Sequence, residues 1–328
     1  MVSEQLQQYS LKSRADEVLR EITRIFDEVG IEFAQNDAKM LVCEAFGCSM
    51  SDVSSAVLLQ KPLETLIRED LQLSEDPQSD SKRKNPLELL KSCVSRRLKR
   101  EPLQYIIGHA AFRYLDLSVG EGVFIPRQET ELIVQETLDR IAEKHIESAK
   151  IADLCAGSGA IGLSVVFENP TCFVVAAEKF VSAYKYAAEN AEKIAKTAEN
   201  PDDFLNRYSL RLCDATSENS LKEYDGQIDI VVSNPPYIPL SEIPEQPEVA
   251  NFDPETALYG GSSDGLAIPE QIISRSAKLL KPEGLLVMEH DVSQGEPLRK
   301  FAQSCGFKQI RTCSDLTGRD RYLYAIKS

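Results

Sequence analysis

The sequence predicts an α/β fold, a doubly wound, mostly parallel sheet preceded by a small all-α domain. Three observations predict it: apolar residues recur at helical spacing over the first hundred positions, short apolar runs alternate with helical stretches after residue 126, and the 328 residues are enough for two domains. Continuous apolar strands are typical of a parallel sheet covered on both faces. We expect a helical domain at 1–98, a hairpin connector at 99–125 and an α/β domain at 126–328.

The helical domain is predicted from three periodic stretches. Apolar residues recur at helical spacing over 18–29, 38–46 and 87–98. The polar, proline-bounded stretch 74–86 is predicted to be an exposed loop. The basic cluster at 96–100 is interpreted as a solvated helix end rather than a binding site.

The remainder of the chain carries the strand pattern. The stretch 102–125, with β-branched and aromatic residues and three glycines, suits a short hairpin between the two domains. Helices are predicted after the first two strands of the α/β domain, around 265–281 and up to Cys305. The predicted strands of that domain are 150–157, 172–178, 211–215, 229–236, 284–290 and 321–326.

Composition and charge disfavour several classes of protein. Fifty-two acidic against 37 basic residues give a net charge of −15, so we expect no direct nucleic-acid partner. No run approaches the roughly 20 apolar residues of a membrane span, and the polar start lacks a signal peptide's apolar region. We therefore expect a cytoplasmic protein without membrane contact, and a monomer because no heptad pattern occurs. The eight cysteines form no CxxC pair and the three histidines lie far apart, so no metal site is expected.

A glycine-containing turn follows the first strand of the α/β domain. Gly157 and Gly159 let the backbone turn sharply and approach a ligand ahead of a helix N-terminus, and Asp153 can accept hydrogen bonds from a ligand amine or from the loop itself. A tight turn without a ligand is the alternative. Cys155 stands where the first glycine of GxGxxG would be, so a nucleoside without phosphate is favoured over a dinucleotide.

An acidic residue ends the next strand. Glu178 lies about 20 residues after the loop, where a carboxylate can bind both hydroxyls of a ribose. A solvated surface glutamate is the alternative. Together with the glycine turn, this residue predicts a nucleoside-like cofactor.

Asn234, Pro235, Pro236 and Tyr237 directly follow the apolar run IDIVVS at 228–233, the main part of the strand predicted at 229–236. Two successive prolines remove two N–H donors and hold the chain extended, so the neighbouring carbonyls become fixed acceptors at the carboxyl edge of the sheet. The Asn234 amide both donates and accepts, and Tyr237 would supply a flat wall. These groups can hold a planar NH2-bearing substrate; a purely structural turn is the alternative.

These motifs resemble the class I S-adenosylmethionine-dependent methyltransferases whose NPPY motif methylates a planar nitrogen. The segments 100–108, 124–131 and 253–261 are further similar to signatures of the HemK/PrmC family, as is a helical N-terminal domain with the stretch 37–41. The resemblance covers nearly the whole chain. It departs at Gln128, where the family has proline, and at Cys155. It implies a class I methyltransferase-like fold.

The resemblance also implies an activity. HemK/PrmC enzymes transfer a methyl group from S-adenosylmethionine to the side-chain amide nitrogen (N5) of the glutamine in the GGQ motif of class 1 peptide chain release factors, leaving S-adenosylhomocysteine, and no metal is expected. The catalytic residues implied are Asn234, Pro235, Pro236 and Tyr237. In this interpretation the Pro235 carbonyl, with that of Pro236 or the Asn234 side chain, accepts the glutamine NH2 hydrogens. The domain at 1–98 would recruit the release factor.

A cofactor site is implied on the same grounds. The glycine loop would surround the methionine end, Glu178 the ribose, and Asp214 with Ala215 the adenine. Phe124 and Arg127 are further candidates for lining the pocket. The implied cofactor-binding residues are Asp153, Cys155, Ala156, Gly157, Ser158, Gly159, Glu178, Asp214, Ala215 and Asn234.

Two other functions stay open. NPPY also serves enzymes that methylate adenine N6 in DNA or exocyclic amines in RNA, but the strong negative charge, with only the cluster at 96–100 as a basic patch, disfavours a flipped-base enzyme. A non-catalytic scaffold is the other alternative, disfavoured by the intact Asp153, Glu178 and NPPY.

Polar residues near the last strands are interpreted as structural. Glu289 and His290 end one predicted strand, and Arg319 and Arg321 flank the next. We expect these four to serve sheet-edge hydrogen bonds and ion pairs.

Overall fold

The computed structural model describes residues 6–67 and 85–328. The chain divides into two compact units, Met1–Ile107 and Gly108–Ser328. The loop predicted at 74–86 lies outside the described residues as far as position 84. The unit boundary falls within the connector that the sequence predicts at 99–125.

The first unit is helical. The Asn85 side chain accepts from the Leu87 N–H at 2.9 Å and Pro86 takes the first helical position, so a helix begins there. Its helices are α1 (Ala15–Glu28), α2 (Ala34–Phe46), α3 (Met50–Leu58), α4 (Pro86–Leu98) and α5 (Leu103–Ile107), with a short 3₁₀ turn at Leu63–Leu66. They enclose a core in which Phe26, Leu41 and Phe46 are fully buried.

The interpretation of the basic cluster at 96–100 as a solvated helix end is wrong for Arg97, whereas Arg96 and Arg100 are partly exposed there. Arg97 is buried and its Nε lies 2.8 Å from the Asp37 carboxylate. Arg96 pairs with Glu101, and Arg100 donates to the carbonyl oxygen of Gly30 at 2.8 Å. A guanidinium has five N–H donors in a planar fork, so it can pair with a buried acid or satisfy free carbonyls at helix ends.

A helix and a hairpin occupy the predicted connector. Residues 103–107 are helical because Leu103, Ile106 and Ile107 pack into the core of the first unit. The hairpin that follows is shorter than predicted and pairs β1 (His109–Phe112) with β2 (Leu115–Ser118) in antiparallel register.

The second unit alternates strands and helices. Its strands are β3 (Lys150–Leu154), β4 (Phe173–Glu178), β5 (Tyr208–Leu212), β6 (Ile228–Ser233), β7 (Leu280–Glu289), β8 (Phe307–Ser314) and β9 (Asp320–Lys327). Its helices are α6 (Glu131–Glu143), α7 (Ala160–Glu168), α8 (Val181–Ala195), α9 (Pro201–Asn206), α10 (Pro247–Phe252), α11 (Glu255–Leu258), α12 (Ala267–Leu279) and α13 (Gly295–Ser304), with 3₁₀ turns at Gln128–Thr130, Lys222–Tyr224 and Val292–Gln294.

These strands form one twisted sheet in the order β5-β4-β3-β6-β7-β9-β8. The pairs from β5 to β7 are parallel, and β9 is antiparallel to both β7 and β8. Successive strand residues face opposite sides, so Ile151 and Val174 join one apolar cluster while Ala152 and Val175 join the other. The doubly wound, mostly parallel fold with helices on both faces is therefore confirmed.

The edges of this sheet differ from the predicted strands. The strand predicted at 211–215 runs instead over Tyr208–Leu212, and β8 is a strand that the sequence pattern does not reveal. Both lie at an edge of the sheet, where several side chains are exposed and the apolar pattern is weak.

No single helix within 6–67 and 85–328 is long and apolar enough to cross a membrane. The successive helices α2 and α3 together meet such a test by length and composition, with a bend of 107° between them. Leu41, Val42 and Phe46 of this pair are buried in the helical core.

Candidate active site

The glycine turn connects β3 to α7. Gly157 and Gly159 adopt φ of +59° and +84°, in the left-handed region that favours glycine. Nothing lies within 4 Å of the position that a side chain on Gly157 would take, so a ligand can approach the backbone there. The loop is held from both sides, since the Ala156 N–H donates to the Ala177 carbonyl at 3.0 Å and the Ser158 carbonyl accepts from Asn190 Nδ2 at 3.0 Å.

Cys155 shows why glycine suits the start of this turn. Its φ is +66°, a conformation that costs a residue with a Cβ atom. Burial raises the pKa of the Cys155 thiol, and the nearby Glu178 and Asp153 raise it further. The side chain is therefore a neutral thiol in a strained backbone position.

Asp153 is a fully buried acid at the end of β3. Its Oδ2 accepts the Gly162 N–H at 2.9 Å, and its Oδ1 is buried without a hydrogen-bond partner among the described residues. Burial raises the Asp153 pKa to about 7, against the lowering effect of the Gly162 hydrogen bond. A cation placed beside this carboxyl would favour its ionised form.

Glu178 ends β4 and faces the glycine turn. Its Oε2 accepts the Gly157 N–H and its Oε1 the Phe180 N–H, each at 2.8 Å. Burial raises its pKa, and hydrogen bonds from the backbone oppose that rise. Each carboxylate oxygen has two lone pairs, so both can still accept a hydroxyl of a ligand.

Asp214 follows β5 at the same edge of the sheet. Its Oδ1 accepts from the Thr216 N–H at 3.0 Å and the Thr216 hydroxyl at 2.6 Å, and its Oδ2 lies 2.9 Å from Lys179 Nζ. Burial alone would raise the Asp214 pKa, but these partners lower it. Ala215 beside it is buried. The ion pair with Lys179 was not predicted.

The Asn-Pro-Pro-Tyr corner lies next to the glycine turn. Ser233, the last residue of β6, pairs with Leu154, the last of β3, and its hydroxyl donates to the Leu154 carbonyl at 2.6 Å. The corner at Asn234–Tyr237 and the turn that begins at Cys155 therefore leave neighbouring strands at the same carboxyl edge. This is the juxtaposition that the sequence interpretation requires.

Hydrogen bonds to Leu258 and Gln294 fix the backbone at the end of the corner. The N–H groups of Tyr237 and Ile238 both donate to the Leu258 carbonyl, at 3.1 and 2.8 Å, and the Tyr237 carbonyl accepts from Gln294 Nε2 at 2.8 Å. Gly265 allows this close approach, since a Cβ there would lie 2.1 Å from the Tyr237 carbonyl oxygen. Among residues 6–67 and 85–328, no donor reaches Asn234 Oδ1 or the Pro235 carbonyl oxygen.

Two residues that sequence reasoning did not assign to the site join it. Asn234 Nδ2 donates to Thr130 Oγ1 at 3.2 Å, and the Thr130 hydroxyl donates to Glu289 Oε2 at 2.7 Å. The Tyr237 hydroxyl donates to Glu289 Oε1 at 2.9 Å. Glu289 does form hydrogen bonds, as expected, but inside the site. Its signal in the sequence is an acid that directly follows the apolar run of β7.

Burial affects both titratable members of this group. It raises the pKa of Glu289, against the lowering effect of its hydrogen bonds with Thr130 and Tyr237. Burial, together with the Glu289 charge, raises the pKa of Tyr237 well above its ordinary value. The Tyr237 hydroxyl therefore keeps its proton and acts as a donor.

Arg127 contacts both Phe124 and the segment that follows the corner. The Arg127 guanidinium lies 5.0 Å from the centre of the Phe124 ring, and its Nη2 lies 2.8 Å from the buried Asp253 carboxylate. The structure thus joins the segments 124–131 and 253–261, which the sequence singles out separately.

His290, Arg319 and Arg321 have the structural contacts expected of them. The His290 N–H donates to the Arg321 carbonyl at 2.9 Å, and the Arg321 side chain lies 3.4 Å from Asp315. The Arg319 N–H donates to the same carboxylate at 3.1 Å.

Two family models match the chain. The model described as the PrmC N-terminal domain matches residues 17–108, and the model described as the methyltransferase small domain matches residues 128–243. The first match covers most of the helical unit, and the second covers the strands that carry the glycine turn and the corner.

Curated relatives resemble the chain over most of its length. A protein of Bifidobacterium longum named release factor glutamine methyltransferase is 46% identical over 94% of this chain and 98% of its own. Proteins of the same name from Streptomyces coelicolor and Corynebacterium glutamicum are 40% and 33% identical, over 72% and 95% of this chain and 79% and 98% of their own. A solved structure of the T. thermophilus 16S rRNA N2 G1207 methyltransferase is similar with a TM-score of 0.44 and 16% identity, over 67% of this chain and 50% of that one.

Proposed function

The chain belongs to the release factor glutamine methyltransferase family, and on that premise we propose that it transfers the methyl group of S-adenosylmethionine to a release factor glutamine. The acceptor is the side-chain amide nitrogen, N5, of the glutamine in the GGQ motif of class 1 peptide chain release factors. The observation that carries the proposal is the Asn-Pro-Pro-Tyr corner, with its open acceptors, beside the glycine turn.

The residues around the glycine turn fit S-adenosylmethionine. The buried Oδ1 of Asp153, unpartnered among the described residues, suits the amino group of the methionine part. Gly157 leaves space for close approach, and Glu178 keeps lone pairs for the ribose hydroxyls. Asp214 and Ala215 are proposed for the adenine. When bound, this cofactor supplies an electrophilic methyl group on a positively charged sulfur; S-adenosylhomocysteine remains with the electron pair of the broken C–S bond, and the methylated nitrogen gives up one proton to solvent.

The corner has the acceptors that a carboxamide needs. An amide nitrogen is a poor nucleophile because its lone pair is delocalised into the carbonyl, so the enzyme's main task is to place it. Asn234 Oδ1 and the Pro235 carbonyl would each accept one N–H of the glutamine NH2 group, with the Pro236 carbonyl as a further acceptor. Because Pro235 and Pro236 hold the chain extended, these acceptors need little reorganisation when the substrate binds.

Tyr237 limits the space beside the amide. Its hydroxyl is tied to Glu289 and its carbonyl to Gln294, so the ring has little freedom. A fixed aromatic face suits the planar carboxamide and keeps it from rotating.

Mass spectrometry of a class 1 release factor tests this function. The full chain, S-adenosylmethionine and the purified release factor are incubated, and the GGQ peptide is expected to gain one methyl group on the glutamine side chain. Asn234→Ala is expected to lower kcat by about 100-fold or more, because it removes an acceptor aimed at the reacting group, with a much smaller effect on cofactor affinity by calorimetry.

Two controls make the result specific. A release factor with alanine in place of the GGQ glutamine is expected to gain no methyl group. Single-stranded DNA and RNA are assayed in parallel, and methyl transfer to a nucleic acid but not to the release factor would overturn the proposal in favour of the nucleic-acid alternative. Equal kcat in Asn234→Ala would reject the role of the corner.

The chain is proposed to act as a monomer without nucleic acid.

The helical unit is proposed to recruit the release factor. The match of residues 17–108 to the PrmC N-terminal domain model supports this proposal. Phe33 and Leu58 are 66% and 80% exposed on this unit, which gives it apolar surface for a protein partner.

A further inference from the structure

We infer that Glu289 is a positioning residue that fixes the orientation of the Asn234 side-chain amide through the hydroxyl of Thr130. The inference deepens the proposed function and rests on it. The chain of contacts is short: Asn234 Nδ2 to Thr130 Oγ1 is 3.2 Å, and Thr130 Oγ1 to Glu289 Oε2 is 2.7 Å. Glu289 is 1% exposed.

The direction of these hydrogen bonds decides the orientation. In this inference Glu289 is ionised; an ionised carboxylate only accepts, so the Thr130 hydroxyl donates its single proton to Glu289. The Thr130 oxygen can then only accept, and it must face the NH2 side of the Asn234 amide. With the amide turned over, Asn234 Oδ1 would face Thr130 Oγ1, whose only proton is already donated to Glu289. No hydrogen bond could then form between these two oxygens.

This orientation leaves Asn234 Oδ1 for the substrate. That oxygen has no donor among the described residues, and it is one of the two acceptors proposed for the glutamine NH2 group. If the amide turned over, an N–H group would replace the acceptor and face the N–H groups of the substrate. The free acceptor therefore depends on a carboxylate that does not itself contact the substrate amide in the proposed arrangement.

The same carboxylate holds the other end of the corner. Its Oε1 accepts from the Tyr237 hydroxyl at 2.9 Å, so the two oxygens of Glu289 bind groups linked to the first and last residues of Asn234–Tyr237. The sheet explains this reach. Met288 pairs with Ser233 in the register of β7 and β6, so Glu289 comes level with the start of the corner.

A purely structural role predicts different behaviour. Burying a carboxylate costs free energy even with a cation such as Arg321 near enough to lower the Glu289 pKa, and stability alone favours an apolar side chain at the end of a strand such as β7. A structural residue would, when changed, lower the amount of folded protein or the affinity for the cofactor. A positioning residue lowers kcat in molecules that remain folded and bind the cofactor.

The test compares Glu289→Gln, Thr130→Val and Thr130→Ser with the wild type. Thermal unfolding confirms folding, calorimetry measures the Kd of S-adenosylmethionine, and methyl transfer to the release factor gives kcat and KM. We expect kcat to fall by about 10- to 100-fold in Glu289→Gln and Thr130→Val, with the cofactor Kd within about twofold of the wild type. Thr130→Ser keeps the hydroxyl and is expected within about threefold of wild-type kcat.

A cycle with Asn234→Ala tests the order of the chain. Because Glu289 and Thr130 act through Asn234 in this inference, adding Thr130→Val to Asn234→Ala is expected to lower kcat by less than about twofold further. If Glu289→Gln does not fold, the comparison of Thr130→Val with Thr130→Ser still decides the question.

The outcomes separate this inference from the proposed function. No methyl transfer by the wild type overturns both. An active wild type with unchanged kcat in Glu289→Gln and Thr130→Val overturns the inference alone. Equal losses in Thr130→Ser and Thr130→Val, or a kcat loss matched by an equal loss of cofactor affinity, also overturn it.

Discussion

The two units of the chain use a buried aspartate in opposite ways. In the helical unit, Asp37 is paired with the buried guanidinium of Arg97 at 2.8 Å. In the α/β unit, Asp153 has a backbone N–H on one oxygen and, among the described residues, nothing on the other. A paired acid has its hydrogen-bonding needs met within the fold, whereas a half-satisfied one keeps an oxygen that can accept a further hydrogen bond. The comparison separates a residue that serves stability from one proposed to serve binding.

The largest effect is expected from breaking the paired acid. Arg97→Met leaves Asp37 buried without its guanidinium, and the free energy of unfolding should fall by about 3–5 kcal/mol. Chemical denaturation measures this loss. The double variant Asp37→Leu with Arg97→Met removes both charges and is the matched control, expected to recover most of the stability. A single variant that costs less than about 1 kcal/mol would show that the pair is dispensable.

Replacing Asp153 is expected to raise the free energy of unfolding at neutral pH, whereas breaking the Asp37–Arg97 pair lowers it. The folded-state pKa of Asp153 is raised to about 7, above its unfolded value, so its ionisation costs nothing below about pH 4 and destabilises the fold increasingly as the pH rises to about 7. Asp153→Asn removes this cost. Without cofactor, the variant should gain on the wild type by on the order of 4 kcal/mol between about pH 4 and pH 8.

Unfolding curves at several pH values measure that gap, and calorimetry at the same values measures cofactor binding. The stabilised variant is expected to bind S-adenosylmethionine less tightly than the wild type. A gap that does not change with pH would mean that Asp153 does not ionise in this range.

A second acid of the α/β unit sharpens the contrast. Glu178→Gln keeps the shape of the side chain but loses one acceptor oxygen, since in either orientation its NH2 group would face the backbone N–H of Gly157 or of Phe180. We expect cofactor affinity to fall by about 10- to 100-fold by calorimetry. Glu270→Gln, an acid on α12 outside the proposed site, is the control and should bind as the wild type does. Unchanged affinity in Glu178→Gln would remove this residue from the ribose site.

The helical unit is expected to affect only the large substrate. Phe33→Ser with Leu58→Ser should raise KM for the whole release factor by about 3- to 10-fold, because it removes apolar contact area, and leave kcat on a short GGQ peptide unchanged. Steady-state kinetics with both substrates measure this. Leu316→Ser, at a residue 93% exposed in the α/β unit, is the control. An equal rise in KM for the short peptide would contradict recruitment by the helical unit.

The smallest effect is expected at the strained start of the glycine turn. Cys155→Gly relieves a backbone held at φ +66° and should raise the free energy of unfolding by about 1 kcal/mol or less. Cys155→Ala keeps the strain and loses the thiol, so it should give no such gain. Chemical denaturation of the two variants distinguishes relief of strain from loss of the side chain.

Most of the fold could be predicted because buried strands leave a clear signature. The runs that became β3, β4 and β6 are apolar on both faces, and glycine or proline follows β3 and β6 within a few residues. The edge strand β8 could not be predicted in the same way, since most of its side chains are exposed or half-exposed and its sequence is polar. Arg97 was misinterpreted because charge in sequence does not reveal the buried acid that tertiary structure places beside it.

The candidate site was predictable where the backbone geometry requires a particular residue type, such as glycine or proline. The diproline corner and the glycine turn are dictated by backbone geometry, and both lie at the sheet edge where the sequence places them. Thr130 and Glu289 escaped prediction because they are 159 positions apart and meet only in the folded chain. Ordinary polar residues acquire such roles from the strands that bring them together.

The two open acceptors of the corner, Asn234 Oδ1 and the Pro235 carbonyl oxygen, also limit how many times one glutamine can react. An unmodified carboxamide offers two N–H groups, one for each open acceptor, but a singly methylated product has only one. We expect one acceptor to lose its partner once the carbon is transferred, so the product is held less well than the starting amide and leaves before a second round. Intact-protein mass spectra with a persistent doubly modified species would contradict this stoichiometric limit.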